Sequence, residues 1–170
     1  IKEYMTAHQR IIFNGDGYSQ AWMKEARRRG LPNFRGMIDS IEALTTDKAI
    51  LLYERFGIYN RAELESRKEI LYETYVKTIN IEAKTMIDMA SREILPAVIR
   101  YSRSLAETVK AEKEVGADAS VTASLLREIN ERLTKAAGAL EGLKWKEKEG
   151  QEMKDDVKGQ AFFYRDTIVP

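Results

Sequence analysis

The feature that most constrains this fold is a run of thirty-five residues after Asn60 that contains neither glycine nor proline. Asn60 followed by Glu63 has the arrangement of a capping box, with asparagine in place of serine or threonine, and predicts the start of a helix. Apolar side chains then recur at steps of three, four or seven residues. They are Leu64, Leu71, Tyr75, Ile79, Ala83, Met86, Ala90 and Ile94. This pattern predicts one long helix that packs on other helices through a single stripe.

Pro96 predicts a kink in this helix, because proline lacks an N–H group and crowds the carbonyl four residues earlier. The apolar pattern keeps its phase beyond the proline, which favours a kink over a reversal of direction. Its later members are Val98, Tyr101, Leu105 and Val109. If helix persists to about residue 115, the two parts together reach on the order of 80 Å. That length exceeds what a compact domain of this size needs.

A turn is predicted at residues 115–118, where Gly116 is the strong break and Asp118 or Ser120 can cap a second long helix to about residue 151. The apolar residues of that helix, at near-heptad spacing, are Leu125, Ile129, Leu133, Ala136, Leu140 and Leu143. We expect two long antiparallel helices in an all-α, elongated helical bundle. The residues predicted to face one another are Leu71, Ile79 and Met86 on the first helix and Ile129, Leu133 and Leu140 on the second.

The remaining segments are shorter and flank the two long helices. Before residue 60 the pattern predicts a loop, a helix capped by Ser19, and a short helix capped by Thr46 or Asp47 that stops at Gly57. After residue 152, apolar residues in helical register predict a segment that returns along the bundle. They are Met153, Val157, Ala161 and Tyr164.

Composition excludes several classes of function. Twenty-eight Lys and Arg against twenty-seven Asp and Glu leave a formal charge of +1, so no global field attracts nucleic acid or an anionic membrane. The absence of cysteine and of an uninterrupted apolar run of spanning length is typical of a cytoplasmic protein. The chain begins with Ile1 and ends at Pro170 directly after apolar residues, and we therefore expect it to be a piece of a longer protein.

No motif for chemistry stands out. The single histidine, His8, has no companion ligands and is expected to be an ordinary surface or partly buried residue. The glycines of 15–17 lack the Gly-Lys-Ser/Thr that would make a phosphate-binding loop and indicate a turn instead. Arg27, Arg28 and Arg29 are interpreted as complementing a helix dipole rather than gripping a phosphate. The mixed charges of 144–158, which include Lys154, predict a solvated surface or a mobile turn.

Aromatic and glycine residues supply further expectations. Trp22 is expected in the core or at an amphipathic edge, whereas Trp145 remains a candidate interface anchor. Gly138 and Gly142 each cost about 1 kcal/mol inside a helix. We expect a neighbouring helix backbone, within the chain or in another subunit, to approach them closely.

Several blocks of sequence resemble the C-terminal part of type III glutamine synthetases. The first runs from His8-Gln9-Arg10-Ile11 through residues 12–19, and continues with Trp22, 25–26 and 29–33. The longest covers 62–67, 69–71, Tyr75, 77–83, 85–90 and 94–97, and the last is Phe163-Tyr164-Arg165-Asp166 with Val169-Pro170. The likeness extends over nearly the whole chain.

The resemblance implies two regions: 1–60 as the end of the catalytic domain, and 61–170 as a helical C-terminal domain that stops before the family's final helix. Full-length members join ammonia to glutamate with ATP and Mg²⁺, through ligands that lie upstream of this part. We therefore assign no catalytic, cofactor-binding or metal-binding residue to the chain. The resemblance also implies other subunits of the same enzyme as partners, in a double-ringed homo-oligomer, with no nucleic acid and no membrane.

Two hypotheses from different classes follow. In the first, the chain is a non-catalytic helical part of a ligase that serves assembly or regulation. Three features support a role in assembly: the length of the helix pair, the glycines at 138 and 142, and an apolar end without a partner in this chain. That end comprises Phe162, Phe163, Ile168 and Val169. In the alternative, the chain is a free-standing coiled-coil-like module that binds a partner helix, and the genomic reading frame distinguishes the two.

Overall fold

The computed structural model describes residues 1–9, 12–34, 36–153 and 155–170, which leaves Arg10, Ile11, Arg35 and Lys154 outside the described residues. It is 79% helical, and no strand occurs in the described residues, which confirms the predicted all-α class. The α-helices are α1 (Lys2–Ala7), α2 (Gln20–Arg28), α3 (Met37–Ala43), α4 (Asp47–Arg55), α5 (Arg61–Met89), α6 (Leu95–Glu114), α7 (Ser120–Glu152) and α8 (Val157–Phe163). Two π-helical segments, π1 (Ala90–Ile94) and π2 (Tyr164–Ile168), follow α5 and α8.

The three elements α5, π1 and α6 form one continuous helix of 54 residues. It begins as predicted, since the Asn60 side chain accepts from the Glu63 N–H at 2.9 Å and the Glu63 carboxylate accepts from the Asn60 N–H at 2.8 Å. The helix does not reverse at Pro96, because the proline falls in the first turn of α6 and π1 precedes it. In π1 the Leu95 N–H bonds to the Ala90 carbonyl, five residues back, so one extra residue is accommodated.

The chain reverses at Gly116, as predicted, and α7 runs back antiparallel to α6 and α5. Gly116 has φ +74°, a left-handed conformation that favours glycine, and the following N–H of Ala117 bonds to the Glu112 carbonyl at 2.8 Å. The N-cap of α7 is Ala119 and not the predicted Asp118 or Ser120, although Asp118 accepts from the Ser120 N–H at 2.9 Å. The register of the two helices is shown by contacts between residues that lie equal or nearly equal numbers of positions before and after Gly116. Examples are Ser102 Oγ to Asn130 Oδ1 at 2.6 Å and Lys84 Nζ to Glu147 Oε1 at 3.6 Å.

That register shows that the predicted face-to-face pairing is wrong. Leu71 and Ile79 pack where α5 meets α8, because these residues lie too far from the Gly116 turn to reach the middle of α7. Met86 is 62% exposed. Ile129 and Leu133 instead lie beside Val98 and its neighbours on α6. The spacing of apolar residues defines a face of a helix, but it does not say which helix covers that face.

The main core lies at the base of the hairpin, where α3, α5, α8 and π2 meet. Its buried members are Ile38, Ile41, Tyr72, Val76, Ala161 and Tyr164. Phe162 and Ile168 pack against this cluster, and Phe163 lies beside Gly150, so the expectation that these three lack a partner in the chain is wrong. Val169 does remain exposed. The predicted returning segment is therefore confirmed, and it completes the core.

Within α7, the glycine that meets a close neighbour is Gly150, and not Gly138 or Gly142. A Cβ atom at Gly150 would come within 3.2 Å of Tyr164 Cζ and 3.3 Å of Phe163 Cε1. At Gly138 and Gly142 the described residues leave open space within 4 Å. The expected close approach to these two glycines is therefore not met within this chain, because α8 and π2 lie against the end of α7 rather than its middle.

We predict opposite effects from substitutions at two of these glycines. Gly142→Ala should raise the free energy of unfolding by about 0.5–1 kcal/mol, because alanine is the better helix former and nothing obstructs its methyl group. Gly150→Val should lower it by about 1–3 kcal/mol, because the branched side chain overpacks the Tyr164 ring. Urea unfolding followed by circular dichroism measures both. Equal effects at the two positions would contradict the close packing at Gly150.

Candidate functional site

Glu42, at the end of α3, is the centre of a polar cluster that ties three helices together. Its carboxylate accepts from the Tyr72 hydroxyl of α5, lies 2.8 Å from Lys158 Nζ of α8, and lies 3.5 Å from Lys68 Nζ of α5. Lys68 Nζ also donates to Thr45 Oγ1 at 3.0 Å. We call Glu42, Lys68, Tyr72 and Lys158 the Glu42 clamp. The clamp lies beside the apolar core, to which Tyr72 also belongs.

The clamp shifts the ionisation of its members. Hydrogen bonds from Lys158 and then from Tyr72, with the charge of Lys68 as a smaller cause, lower the pKa of Glu42 to about 2. Burial, followed by the bond to Glu42, raises the pKa of Tyr72. The carboxylate therefore stays charged and the phenol stays protonated over the whole physiological range. This is the combination that a charge-assisted hydrogen bond requires.

A second ionic link joins α3 to the end of the chain. Arg165 Nη1 of π2 lies 2.9 Å from Asp39 Oδ1, and its guanidinium carbon lies 4.6 Å from the centre of the Phe162 ring. Arg165 also pairs with Asp166 at 2.6 Å, which is the first cause of the lowered pKa of that carboxyl. Both links thus hold α3, which belongs to residues 1–60, against the helical domain predicted from residue 61 onward.

A cleft of about 360 Å³ opens beside the clamp, between α5 and the segment that leads into α8. Its charged lining consists of Glu65, Lys68, Glu69, Glu73, Asp155, Asp156 and Lys158. Asp156 is the N-cap of α8, where it accepts from the Gly159 N–H at 2.8 Å. Within the described residues no group of three or more His, Asp and Glu side chains is arranged as a metal site. The cleft accordingly offers solvated charges rather than convergent ligands.

The residues singled out from the sequence have ordinary surroundings. His8 is exposed and stacks on Tyr4, with 6.4 Å between ring centres. Arg28 pairs with Glu25 at 2.6 Å within α2, so this cation acts inside its own helix. Trp22 is half-buried against Phe13, with 4.7 Å between ring centres, which fits the predicted amphipathic edge. Among the described residues, none of the helices combines the length and the apolar composition that a membrane span requires.

A second surface lies on the outer hairpin and is almost entirely apolar. We call it the hairpin groove, with a volume of about 280 Å³. It is lined by Ile94, Leu95, Val98 and Tyr101 on one helix and by Ile129, Arg132, Leu133 and Ala136 on the other. None of the residues of α6 is buried. The groove is open because two helices alone share one seam and leave their flanks in solvent.

The surface area of the chain reflects this open architecture. The accessible surface is 12703 Å². A compact monomer of 19.5 kDa is expected to expose roughly 8,500 Å². The excess comes from a hairpin that projects from the core and from apolar side chains on and beside the short helices, such as Leu51 of α4 and Phe56 directly after it, which are largely exposed. Such exposed apolar area is typical of a surface that other protein covers.

Together these features define the chain as an all-α domain built on a projecting helical hairpin. Its sequence matches the family model described as the glutamine synthetase C-terminal domain over residues 1–113. The chain therefore belongs to the glutamine synthetase C-terminal domain family, as the resemblance implied. The matched residues cross the predicted boundary at residue 60, and that boundary stays a prediction.

Three relatives show the extent of the similarity. A glutamine synthetase of Butyrivibrio fibrisolvens is 31% identical over 171 residues, which are 99% of this chain and 24% of that protein. A type-3 glutamine synthetase of Dictyostelium discoideum is 40% identical over 111 residues, or 65% of this chain and 15% of that protein. A glutamine synthetase of Bacteroides fragilis is 30% identical over 178 residues, covering 100% of this chain and 24% of that protein. The chain thus spans about a quarter or less of its relatives' length.

No pattern in the sequence predicted the Glu42 clamp. Glu42 and Lys158 are far apart in the chain, and each stands among many other charged residues. Only the packing of α8 against α3 brings them together. The apolar residues of the hairpin groove, by contrast, belong to the stripes predicted from the sequence. Their exposure to solvent was not predicted.

We predict that Glu42→Gln lowers the free energy of unfolding by about 1 kcal/mol near pH 7, because bonds to charged groups contribute roughly 1.5–3 kcal/mol and partial exposure reduces this. The pKa of Glu42 is about 2 in the folded protein and 4.5 ordinarily. The stabilisation by the carboxylate is therefore complete above about pH 4.5 and is lost as the pH falls toward about 2.

Urea unfolding of both proteins between about pH 3 and pH 7 checks this expectation, and the difference between them should shrink toward acid pH. Glu65→Gln, an exposed carboxylate on α5 beside the cleft, is the matched control. A Glu42→Gln difference that is constant with pH, or no larger than that of the control, would contradict the clamp.

Proposed function

We propose that the chain is the C-terminal part of a glutamine synthetase, and that it serves assembly or regulation rather than chemistry. The observation that supports this most directly is the hairpin itself. It carries an apolar groove and a helix without any buried residue, but the described residues hold no convergent set of ligands. A helical surface of this kind suits contact with protein, whereas phosphoryl transfer and amide formation need clustered cations and carboxylates.

In this proposal the complete protein is a glutamate–ammonia ligase. It phosphorylates the side chain of glutamate with ATP and then lets ammonia displace the phosphate, with Mg²⁺ holding the phosphates. The residues that bind ATP and Mg²⁺ lie outside this chain. Residues 1–60 complete the catalytic domain, and residues 61–170 form the helical extension. Other subunits of the same enzyme are the proposed partners, in a homo-oligomer located in the cytoplasm.

In this proposal the Glu42 clamp is a mechanical link between the two regions of the chain. It fixes α3, from the proposed catalytic domain, to α5 and α8 of the extension through a carboxylate with three cross-helix contacts. The buried pair Ile38 and Ile41 adds an apolar seal to the same contact. A displacement of the hairpin by a neighbouring subunit would therefore be transmitted to α3 rather than absorbed in a flexible linker.

The alternative is a free-standing module that binds a partner helix. The open hairpin groove is compatible with it. Similarity that covers 99% of this chain and continues through both of its regions favours the ligase, because an independent module would share only its helical part with glutamine synthetases.

We predict that removing the extension from residue 62 onward disrupts the oligomer of the full-length protein. Because this deletion also uncovers Ile38 and Ile41, a second variant should remove only the outer hairpin, residues 92–139, and close it with a short turn. The main core and the Glu42 clamp stay intact in that variant. Light scattering should report fewer subunits per particle for both. A variant that keeps the parent's number of subunits but loses activity would refute the role in assembly.

The isolated 170-residue chain should form no glutamine from glutamate, ammonia, ATP and magnesium, because the proposed ligands lie elsewhere in the protein. A coupled assay for phosphate release measures this, with the full-length enzyme as the positive control. The same preparation should show a helical circular dichroism spectrum, which excludes an unfolded sample. Turnover above a mock purification would refute the proposal that the chain is non-catalytic.

A further inference from the structure

The apolar stripe on one flank of the 54-residue helix is covered in its first half and bare in its second. Tyr75 and Ile79 pack against the core formed with α8 and π2. Farther along the same flank, Met86 is 62% exposed, and Ile94 and Tyr101 are each 52% exposed. From Ile79 onward these residues follow one another at steps of seven or eight, and π1 accommodates the extra residue, so they stay on one side of the helix.

The matching flank of α7 shows the same division. Gly150 is covered by the Tyr164 ring of π2. Steps of seven residues from Gly150 lead to Leu143, Ala136 and Ile129, which therefore lie on the same side of α7. Ala136 and Ile129 line the hairpin groove. The groove is thus the direct continuation of the furrow between the long helices in which the end of π2 lies.

The two flanks of π1 and α6 differ in composition, and only one of them is free of charged residues. On the groove side, the positions are Ile94, Ala97, Tyr101, Ser104 and Thr108, and none is charged. On the opposite side they are Arg92, Ile99, Arg103, Glu107 and Lys110, and all but one are charged. A helix side that lacks charge over about four turns is typical of a packed surface, whereas the charged side is typical of one facing solvent.

We propose that the hairpin groove is the docking site of a further amphipathic helix, which belongs to the part of the same polypeptide outside residues 1–170. This inference rests on the proposed function, since it takes the chain to be part of a longer synthetase. The occupant lies end to end with α8 and π2 and turns its apolar side toward Ile94, Tyr101 and Ile129. Arg132, the one cation of the groove lining, already pairs with Glu128 of the same helix at 2.5 Å, so the apolar side of the occupant supplies the contact.

Two observations favour this occupant over a second copy of the hairpin. First, α8 and π2 already occupy the same furrow, and they run parallel to α5 toward the groove, because Lys158 lies beside Lys68 in the cleft and Phe162 lies beside Tyr72, farther along α5. A third helix therefore continues an existing layer. Second, the relatives are about four times as long as the chain, so most of such a protein is available to supply the helix.

The first test measures solvent access in the full-length protein. The variants Tyr101→Cys and Ile99→Cys place a thiol on the groove side and on the opposite side of α6, at residues that are 52% and 55% exposed in this chain. Labelling with a maleimide, quantified on the peptide by mass spectrometry, should be about tenfold slower at position 101 than at 99, because thiol reactivity requires exposure. Equal labelling rates in a protein with a native circular dichroism spectrum would overturn the proposal.

The second test identifies what covers the groove. A photo-crosslinking amino acid at position 101 of the purified full-length protein should give a product that migrates as a single polypeptide under denaturing conditions and joins Tyr101's position to a segment outside residues 1–170. A product of twice the mass would assign the groove to a second copy and overturn the proposal. So would a crosslink confined to residues 1–170.

These readouts are separate from those that test the proposed function. Labelling and crosslinking report the cover on one groove, whereas light scattering reports the mass of the assembly. Position 101 could be labelled as fast as position 99 while removal of the hairpin still reduces the number of subunits in the assembly. That result would reject the docked helix and leave the role in assembly standing.

Discussion

Two helices in contact share only one seam, and this constraint governs the whole molecule. At the base of the hairpin, α3, α8 and π2 supply a third layer, and there Tyr72, Val76 and Tyr164 are buried. Beyond that base no third layer lies against the hairpin in the described residues, and α6 has no buried residue at all. The position of the core, the exposed groove and the large surface area all follow from where the third layer stops.

The Glu42 clamp adds polar contacts between three of the helices that form this base, α3, α5 and α8. A carboxylate at the end of α3 is held by groups from α5 and α8, which ties the short helix to the base of the hairpin. The lowered pKa of Glu42 and the raised pKa of Tyr72 are both consequences of this arrangement. Because α3 falls in the region that resembles the end of a catalytic domain, the clamp lies where a mechanical link between the two proposed regions would be needed.

Local sequence signals predicted local structure well. The capping box at Asn60, the caps at Ser19 and Thr46, and the turn at Gly116 are each confirmed, because a cap or a turn depends on a few neighbouring residues. The family resemblance was likewise recognisable from the sequence. The pairing of α5 with the middle of α7 was wrong, and no close neighbour of Gly138 and Gly142 lies within the described residues, because each depends on where a distant segment lies.

The sequence by itself determined that the chain is helical, where its long helices begin and turn, and which flank of each is apolar. Those properties arise from spacing and from backbone preferences within a few turns. Only the tertiary structure decided that α8 covers Tyr75 and Ile79 but leaves Ile94 and Tyr101 bare, and that Glu42 meets Lys158. Apolar stripes are interchangeable as partners, and charged residues are numerous. The choice among them depends on register and helix length, which emerge only when the whole chain packs.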